Sequence, residues 1–164
     1  MNQLGVFVTA LAAITGCASS LATTPPVGTT VPIMRFRAEP YSFSYNSGMD
    51  QPARLVVRDD ATWRELWSKI HNRQTPIPAV PAVDFSQEII VIAALGSRAT
   101  GGYSILLEKA VEDGRGATEV TVRSISPGTR CGVTQAVTQP VDVARLQRRN
   151  DTIRFVERSE VTDC

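Results

Sequence analysis

A single histidine, His71, occurs in 164 residues. It stands at the end of a helical pattern with no cysteine or serine motif beside it, so it reads as a solvent-exposed helix terminus. Gly-x-Ser-x-Gly and His-Glu-x-x-His are both missing, which removes the serine-hydrolase elbow and the zinc-protease helix. Gly96 and Gly101 have the outer spacing of a phosphate loop, but Gly102 and Tyr103 stand where that loop requires Lys and Ser or Thr. Gly114 and Gly116, followed by Glu119, precede a strand-like run and not a helix, which excludes the dinucleotide fingerprint. The 16 Asp and Glu show neither a calcium-loop spacing nor a close triad. The sequence therefore names no metal site, no cofactor and no catalytic residue. Charge of one sign is not in excess either. With 17 Lys and Arg the net charge is +1, and the basic footprint of a nucleic-acid binder is lacking.

Charged side chains are wholly absent from residues 1–16, and this absence marks a separate segment. Its apolar stretch, Leu4 to Thr15, is 12 residues long. At about 1.5 Å per residue it is too short for a hydrocarbon core roughly 30 Å thick, and it has the length of a secretory apolar region. The stretch ends Ile14, Thr15, Gly16, Cys17, which resembles the lipobox of bacterial lipoproteins. The resemblance implies a signal peptide over 1–16 and lipidation at Cys17, with acyl chains such as palmitate on the sulfur and on the new amine. Several buried chains at about 0.8 kcal/mol per methylene hold a protein firmly to a membrane. The same resemblance, with Ala18 in place of Asp after the cysteine, implies the outer membrane of the bacterial cell envelope.

Residues 17–30 contain few large aliphatic side chains and read as a flexible tether, about 20 Å long on average. A single β-rich domain is expected over 31–164. Leu55 and Val57 alternate with Arg54 and Arg58, Ile105 and Leu107 with Ser104 and Glu108, and Ile153 and Phe155 with Arg154. Ile89 to Leu95 is continuously apolar, the pattern of a central strand covered on both faces. Val133, Val137, Val141 and Val143 suggest one strand face, which Pro140 would place at an edge or bulge. The polar residues 147–151 predict a hairpin to the last strand, and Asp113 to Gly116 predicts a turn. One helix is expected from about Asp60 to His71, capped by Asp59 or Asp60, with Trp63, Leu66, Trp67 and Ile70 on its apolar face. That spacing makes the tryptophans core residues. The expected fold class is α+β, a mostly antiparallel sheet or barrel with one packed amphipathic helix.

Two features remain. Cys131 and Cys164, in a chain routed to an oxidising compartment, suggest a disulfide; two free thiols or an intermolecular bridge are the competing readings. The loop from Gly96 to Ser104 is longer than a tight hairpin needs. Arg98, Thr100, Gly101, Gly102 and Tyr103 form its candidate partner-binding stretch, Arg98 and Tyr103 being side-chain types favoured as interface anchors. The other reading makes the loop a structural turn with Tyr103 in the core.

Taken together, several segments resemble the C-terminal domain of the PrcB family: WRELW (63–67), PAVDF (81–85), the apolar strand with Gly96, TGGYS (100–104), Pro127 with Gly128, and Thr138 to Pro140. The resemblance covers roughly Asp59 to Phe155, and it leaves residues 31–58 in the domain by contiguity alone. PrcB is named for a lipoprotein subunit of a bacterial surface protease complex. The resemblance thus implies a non-catalytic, membrane-anchored module whose partner is a protein, an exported protease foremost, with no enzyme activity of its own. A fainter similarity links residues 100–103 to the TTGY loop of chagasin-type inhibitors, immunoglobulin-like proteins that block cysteine proteases, and implies an inhibitor as the alternative. An enzyme of unrecognised class comes last.

Overall fold

The computed structural model describes residues 28–36, 43–150 and 152–164; the leader, Cys17 and the tether up to residue 27 lie outside them. In chain order the elements are β1 (Thr29–Val31), β2 (Phe43–Ser44), β3 (Pro52–Val57), α1 (Asp60–Ile70), β4 (Glu88–Leu95), β5 (Ser104–Glu112), β6 (Ala117–Pro127), β7 (Val141–Gln147) and β8 (Thr152–Thr162). The strands make two four-stranded sheets, in the orders β1-β5-β6-β8 and β2-β7-β4-β3. All pairs are antiparallel except β6 with β8. The α+β class with one packed helix is therefore as expected, in the form of two open sheets and not a barrel. β1 includes Thr29 and Thr30, so ordered pairing begins two residues inside the stretch read as tether.

β4 shows why an unbroken apolar run is needed. Ile89, Val91, Ala93 and Leu95 join Ile105, Leu107, Val120 and Val122 in the core between the sheets. The alternate residues Ile90, Ile92 and Ala94 join Trp63, Trp67 and Ile70 beneath α1. Successive side chains of a strand point to opposite faces, so a strand in the middle layer must be apolar at every position.

Asp59 starts α1: its carboxylate accepts from the Thr62 backbone N–H and hydroxyl, both at 2.9 Å. Trp63 and Trp67 are fully buried. The proline-rich connection after the helix runs back along it and satisfies both indoles, Trp63 Nε1 donating to the Pro81 carbonyl at 3.0 Å and Trp67 Nε1 to the Pro78 carbonyl at 2.9 Å. A buried donor left without such a partner costs about 1–3 kcal/mol. Prolines suit this role, since a residue with no N–H to place can still offer its carbonyl.

Three local expectations are corrected. His71 is fully buried, against the Trp67 ring at 4.1 Å, and is not exposed. Removal from water holds its pKa below the usual histidine value. Val133 and Val137 share no strand with Val141 and Val143; β7 begins at Val141 and lies inside its sheet, and Val137 is 60% exposed. The segment after β7 reverses the chain across the sandwich, from one sheet to the other, so β8 pairs in parallel with β6 and makes no hairpin with β7.

One polar cluster lies inside the sandwich. β1 stops at Val31, because Pro32 has no N–H for a ladder, and the chain crosses to the other sheet, where Met34 and Arg145 exchange backbone bonds of 2.9 and 2.8 Å. β5 is left without that neighbour at Leu107. Asp142 Oδ2 accepts the Leu107 N–H at 2.7 Å, and Arg35 donates both to the Leu107 carbonyl at 2.9 Å and to Asp142 at 3.0 Å. Burial pushes the Asp142 carboxyl up to about 6, against the opposing pull of Arg35 and of the Leu107 N–H.

Candidate binding cleft at the loop end of the sandwich

The strand registers bring the end of β4, the start of β5, the start of β3, the end of β6 and the start of β7 to one end of the sandwich. Loops 45–51, 96–103 and 128–140 therefore gather there with the C-terminus. They are laced together by backbone bonds. Arg98 and Thr138 exchange N–H to carbonyl bonds of 2.8 and 2.9 Å, the Gly101 N–H donates to the Thr134 carbonyl at 2.9 Å, and the Gln139 N–H to the Tyr45 carbonyl at 2.8 Å. The Ser97 N–H donates to the Asp50 carbonyl at 3.0 Å. The Thr138 hydroxyl donates to the Thr100 carbonyl at 2.9 Å. Cys131 and Cys164 are joined, their Cα atoms 5.1 Å apart, and the Gly128 N–H donates to the Thr162 carbonyl at 3.0 Å, so the third loop is stapled to the end of β8.

Gly101 and Gly102 of the central loop are fixed by this lacing. A Cβ on Gly101 would come within 2.3 Å of the Thr134 hydroxyl, and Gly102 adopts φ +85 beside Val133 and Pro127. Thr100, Gly101 and Gly102 thus hold the loop against its neighbour. Arg98 and Tyr103 do something else. Together with Leu95, Ser124, Ile125, Ser126 and Ser159 they line a cleft of about 200 Å³. The Arg98 guanidinium lies over the Tyr103 ring, 5.6 Å from its centroid, while Tyr103 also packs on the core between the sheets. Tyr103 is thus part of the core, as the structural reading of the loop has it, and part of the cleft wall as well.

The sequence reading missed the three serines, although a signal was there. Along β6 the positions facing the other sheet run Val120, Val122, Ser124, Ser126, and along β8 they run Ile153, Phe155, Glu157, Ser159. In both strands the inward face changes from apolar to polar as the loop end is approached. Ser124 and Ser159 lie opposite each other in the β6–β8 register, with hydroxyls 3.2 Å apart.

Charge at this end is uneven. Glu157 is held bidentately by Arg54 at 2.7 and 2.8 Å, Glu160 by Arg123 at 3.2 Å, and Asp50 by Arg73 at 3.2 Å. Arg98, by contrast, makes no ion pair among the described residues, and its buried Nε has no hydrogen-bond partner. A larger hollow of about 270 Å³, by Pro32, Met34, Gln87, Glu88 and Gln147, lies at the opposite end of β4 and β7. Its one charge, Glu88, is already paired with Arg145 at 3.2 Å, so it offers a ligand shape without a free charge. No cluster of metal-ligating side chains is present among the described residues.

Residues 89–147 match the PrcB C-terminal family. The match begins at the first apolar residue of β4 and ends with β7, taking in β5, β6, the 96–103 loop and the 128–140 loop. It is narrower than the span from Asp59 to Phe155, since α1 and the Pro81 to Phe85 segment fall outside it. No curated protein and no solved structure matches the chain.

Proposed function

We propose that this PrcB-related chain is a lipid-anchored binding module of the bacterial cell envelope, a non-catalytic subunit or stabiliser of an exported protease, which it meets through the loop end of the sandwich. One observation carries the reading. The segment that matches the PrcB C-terminal family also supplies two of the three loops at the loop end and every lining residue of the cleft except Ser159. The leader over 1–16, followed by Cys17, supports the anchor, and Ala18 the outer membrane.

The test is recovery of a partner. The full chain is crosslinked in its native cells, isolated, and its companions identified by mass and assayed for proteolysis. Recovery of one exported protease whose activity falls when this chain is deleted is the expected result; a native-cell experiment that yields no protease overturns the reading. Cys17→Ser is expected to abolish the lipid mass increment and release the protein from membranes, while unchanged mass and retention would reject the anchor.

A second reading has a specific observation in its favour. Residues 100–103 lie at one end of a β-sandwich between two flanking loops, the placement required for a loop that inserts into a protease cleft. An inhibitor of this kind must lower the activity of a purified cysteine protease in proportion to its concentration. A subunit must preserve activity.

A further inference from the structure

We infer that the cleft between the sheets at the loop end is a recognition site for a carboxylate of a partner polypeptide, with Arg98 as its charged anchor. The inference takes the occupant from the docking reading above, but the site itself is argued from chemistry.

The space between two packed sheets is ordinarily filled by apolar side chains to the rim. Here Ser124, Ser126 and Ser159 replace them, and the cleft stays open at about 200 Å³. The hydroxyls are not needed for strong internal bonds. Ser124 donates to the Arg158 carbonyl at 3.3 Å and Ser126 to the Glu160 carbonyl at 3.4 Å, bonds long enough for an anionic oxygen to displace. The wall they face is Arg98, a guanidinium with five donors and no acceptor. The acidic side chains of β8 are engaged elsewhere, by Arg54 and Arg123. The cleft therefore offers one uncompensated positive charge, a flat aromatic support in Tyr103 and several hydroxyl donors. A carboxylate supplies what is missing, one negative charge and acceptor oxygens matched to the guanidinium fork. The volume admits a carboxylate with its short stem and leaves the rest of the polypeptide on the loops outside. Position within the fold makes the site rigid: Arg98 is held by its backbone bridge to Thr138, which a side-chain replacement leaves in place.

The experiment is a titration of the isotopically labelled full chain, followed by backbone amide shifts, with three probes. N-acetylglycine carries a free α-carboxylate, N-acetylaspartate α-methylamide a side-chain carboxylate, and N-acetylglycine methylamide neither. Saturable shifts at Arg98, Tyr103, Ser124 to Ser126 and Ser159 with an acid, and none with the neutral probe, are expected. Arg98→Gln should weaken binding about tenfold or more, as loss of a charge-assisted pair does. Ser124→Val, which narrows the cleft and removes one hydroxyl donor while keeping Arg98, should weaken it too. A response to the first acid alone identifies a chain terminus as the source, and to the second alone an acidic side chain; either supports the site. No saturable shift with either acid, shifts confined to other residues, or undiminished binding by Arg98→Gln overturns it. Carboxylate binding that survives while no protease is recovered from cells leaves the cleft standing and removes the docking reading.

Discussion

Asp142 and His71 are buried titratable side chains on opposite faces of the middle sheet, and they pull the pH dependence of stability in opposite directions. The Asp142 carboxyl sits at about 6 in the folded protein against an unfolded value of 3.8. The folded state therefore binds more protons between those limits, and stability rises as pH falls through them, by an amount on the order of 2–3 kcal/mol. His71 is depressed below 6.5 by burial, eased by Gln74. The unfolded state takes up its proton first, so stability falls as pH drops below about 6.5. Asp59, Asp84 and Asp113 are all held below their ordinary value by hydrogen bonds and act at lower pH. Denaturant unfolding followed from pH 7.5 to pH 4.5 should show a shallow profile in the wild type. Asp142→Asn should expose a loss of stability on acidification, and His71→Gln a gain. Identical slopes in all three proteins would show that neither group titrates as its burial dictates. Neither environment was legible in the sequence. Asp142 lies between two valines, and only the crossing of Pro32 from one sheet to the other places Arg35 beside it.

At the scale of elements, helix and strand identity followed from local pattern because burial is regular along each of them, on one face of α1 and on both faces of β4. The apolar stripe of α1, the unbroken run of β4 and the Asp113 turn are all recoverable in this way; the Asp113 carboxylate accepts from the Arg115 and Ala117 N–H groups at 2.7 and 3.0 Å. Pairing was not recoverable. The residues after β7 announce a reversal, yet a reversal between strands looks the same in sequence whether it stays in one sheet or crosses to the other. β8 is consequently held by the parallel β6 on one side, with no strand on its other side among the described residues. This gives the Cys131–Cys164 bond its work. It closes a separation of 33 residues and ties the free end of an edge strand to the loop beside the cleft. Loop-closure entropy puts its contribution at about 4 kcal/mol at most. Reduction, or Cys131→Ser with Cys164→Ser, should lower the melting temperature and quicken amide exchange first in the last residues of β8. Unchanged exchange there would mean that the β6–β8 ladder secures the C-terminus without help. Gly101→Ala tests the neighbouring lace: the collision with Thr134 should destabilise the loop, and Thr134→Gly should restore part of the loss.

Across the whole molecule, the two ends of the sandwich differ in what lines their hollows: the one by Pro32 and Glu88 has its single charge paired with Arg145, and the cleft at the loop end has Arg98 without an ion pair among the described residues. Toward the Asp113 turn the inner positions of β6 are Thr118, Val120 and Val122, all buried. At the loop end the same strand faces continue as serines, and a charged side chain stands where core should be. Stability alone would favour apolar residues there, and proteins commonly forgo stability at sites that bind. Ser124→Val should accordingly stabilise the fold. A fully buried valine side chain contributes about 1.5 kcal/mol; at this half-exposed rim, after loss of a long hydroxyl bond, a gain of about 0.5–1 kcal/mol is expected, or a rise in melting temperature of roughly 2–4 °C. The same variant should lose carboxylate binding and recover less of its partner from cells. If Ser124→Val instead destabilises the protein, the hydroxyl contact with Ser159 is a structural cross-strand bond and the loop end is part of how the two sheets are held. A stabilised variant with unaltered partner recovery would separate the cleft from docking and leave the outer surfaces of the three loops as the contact.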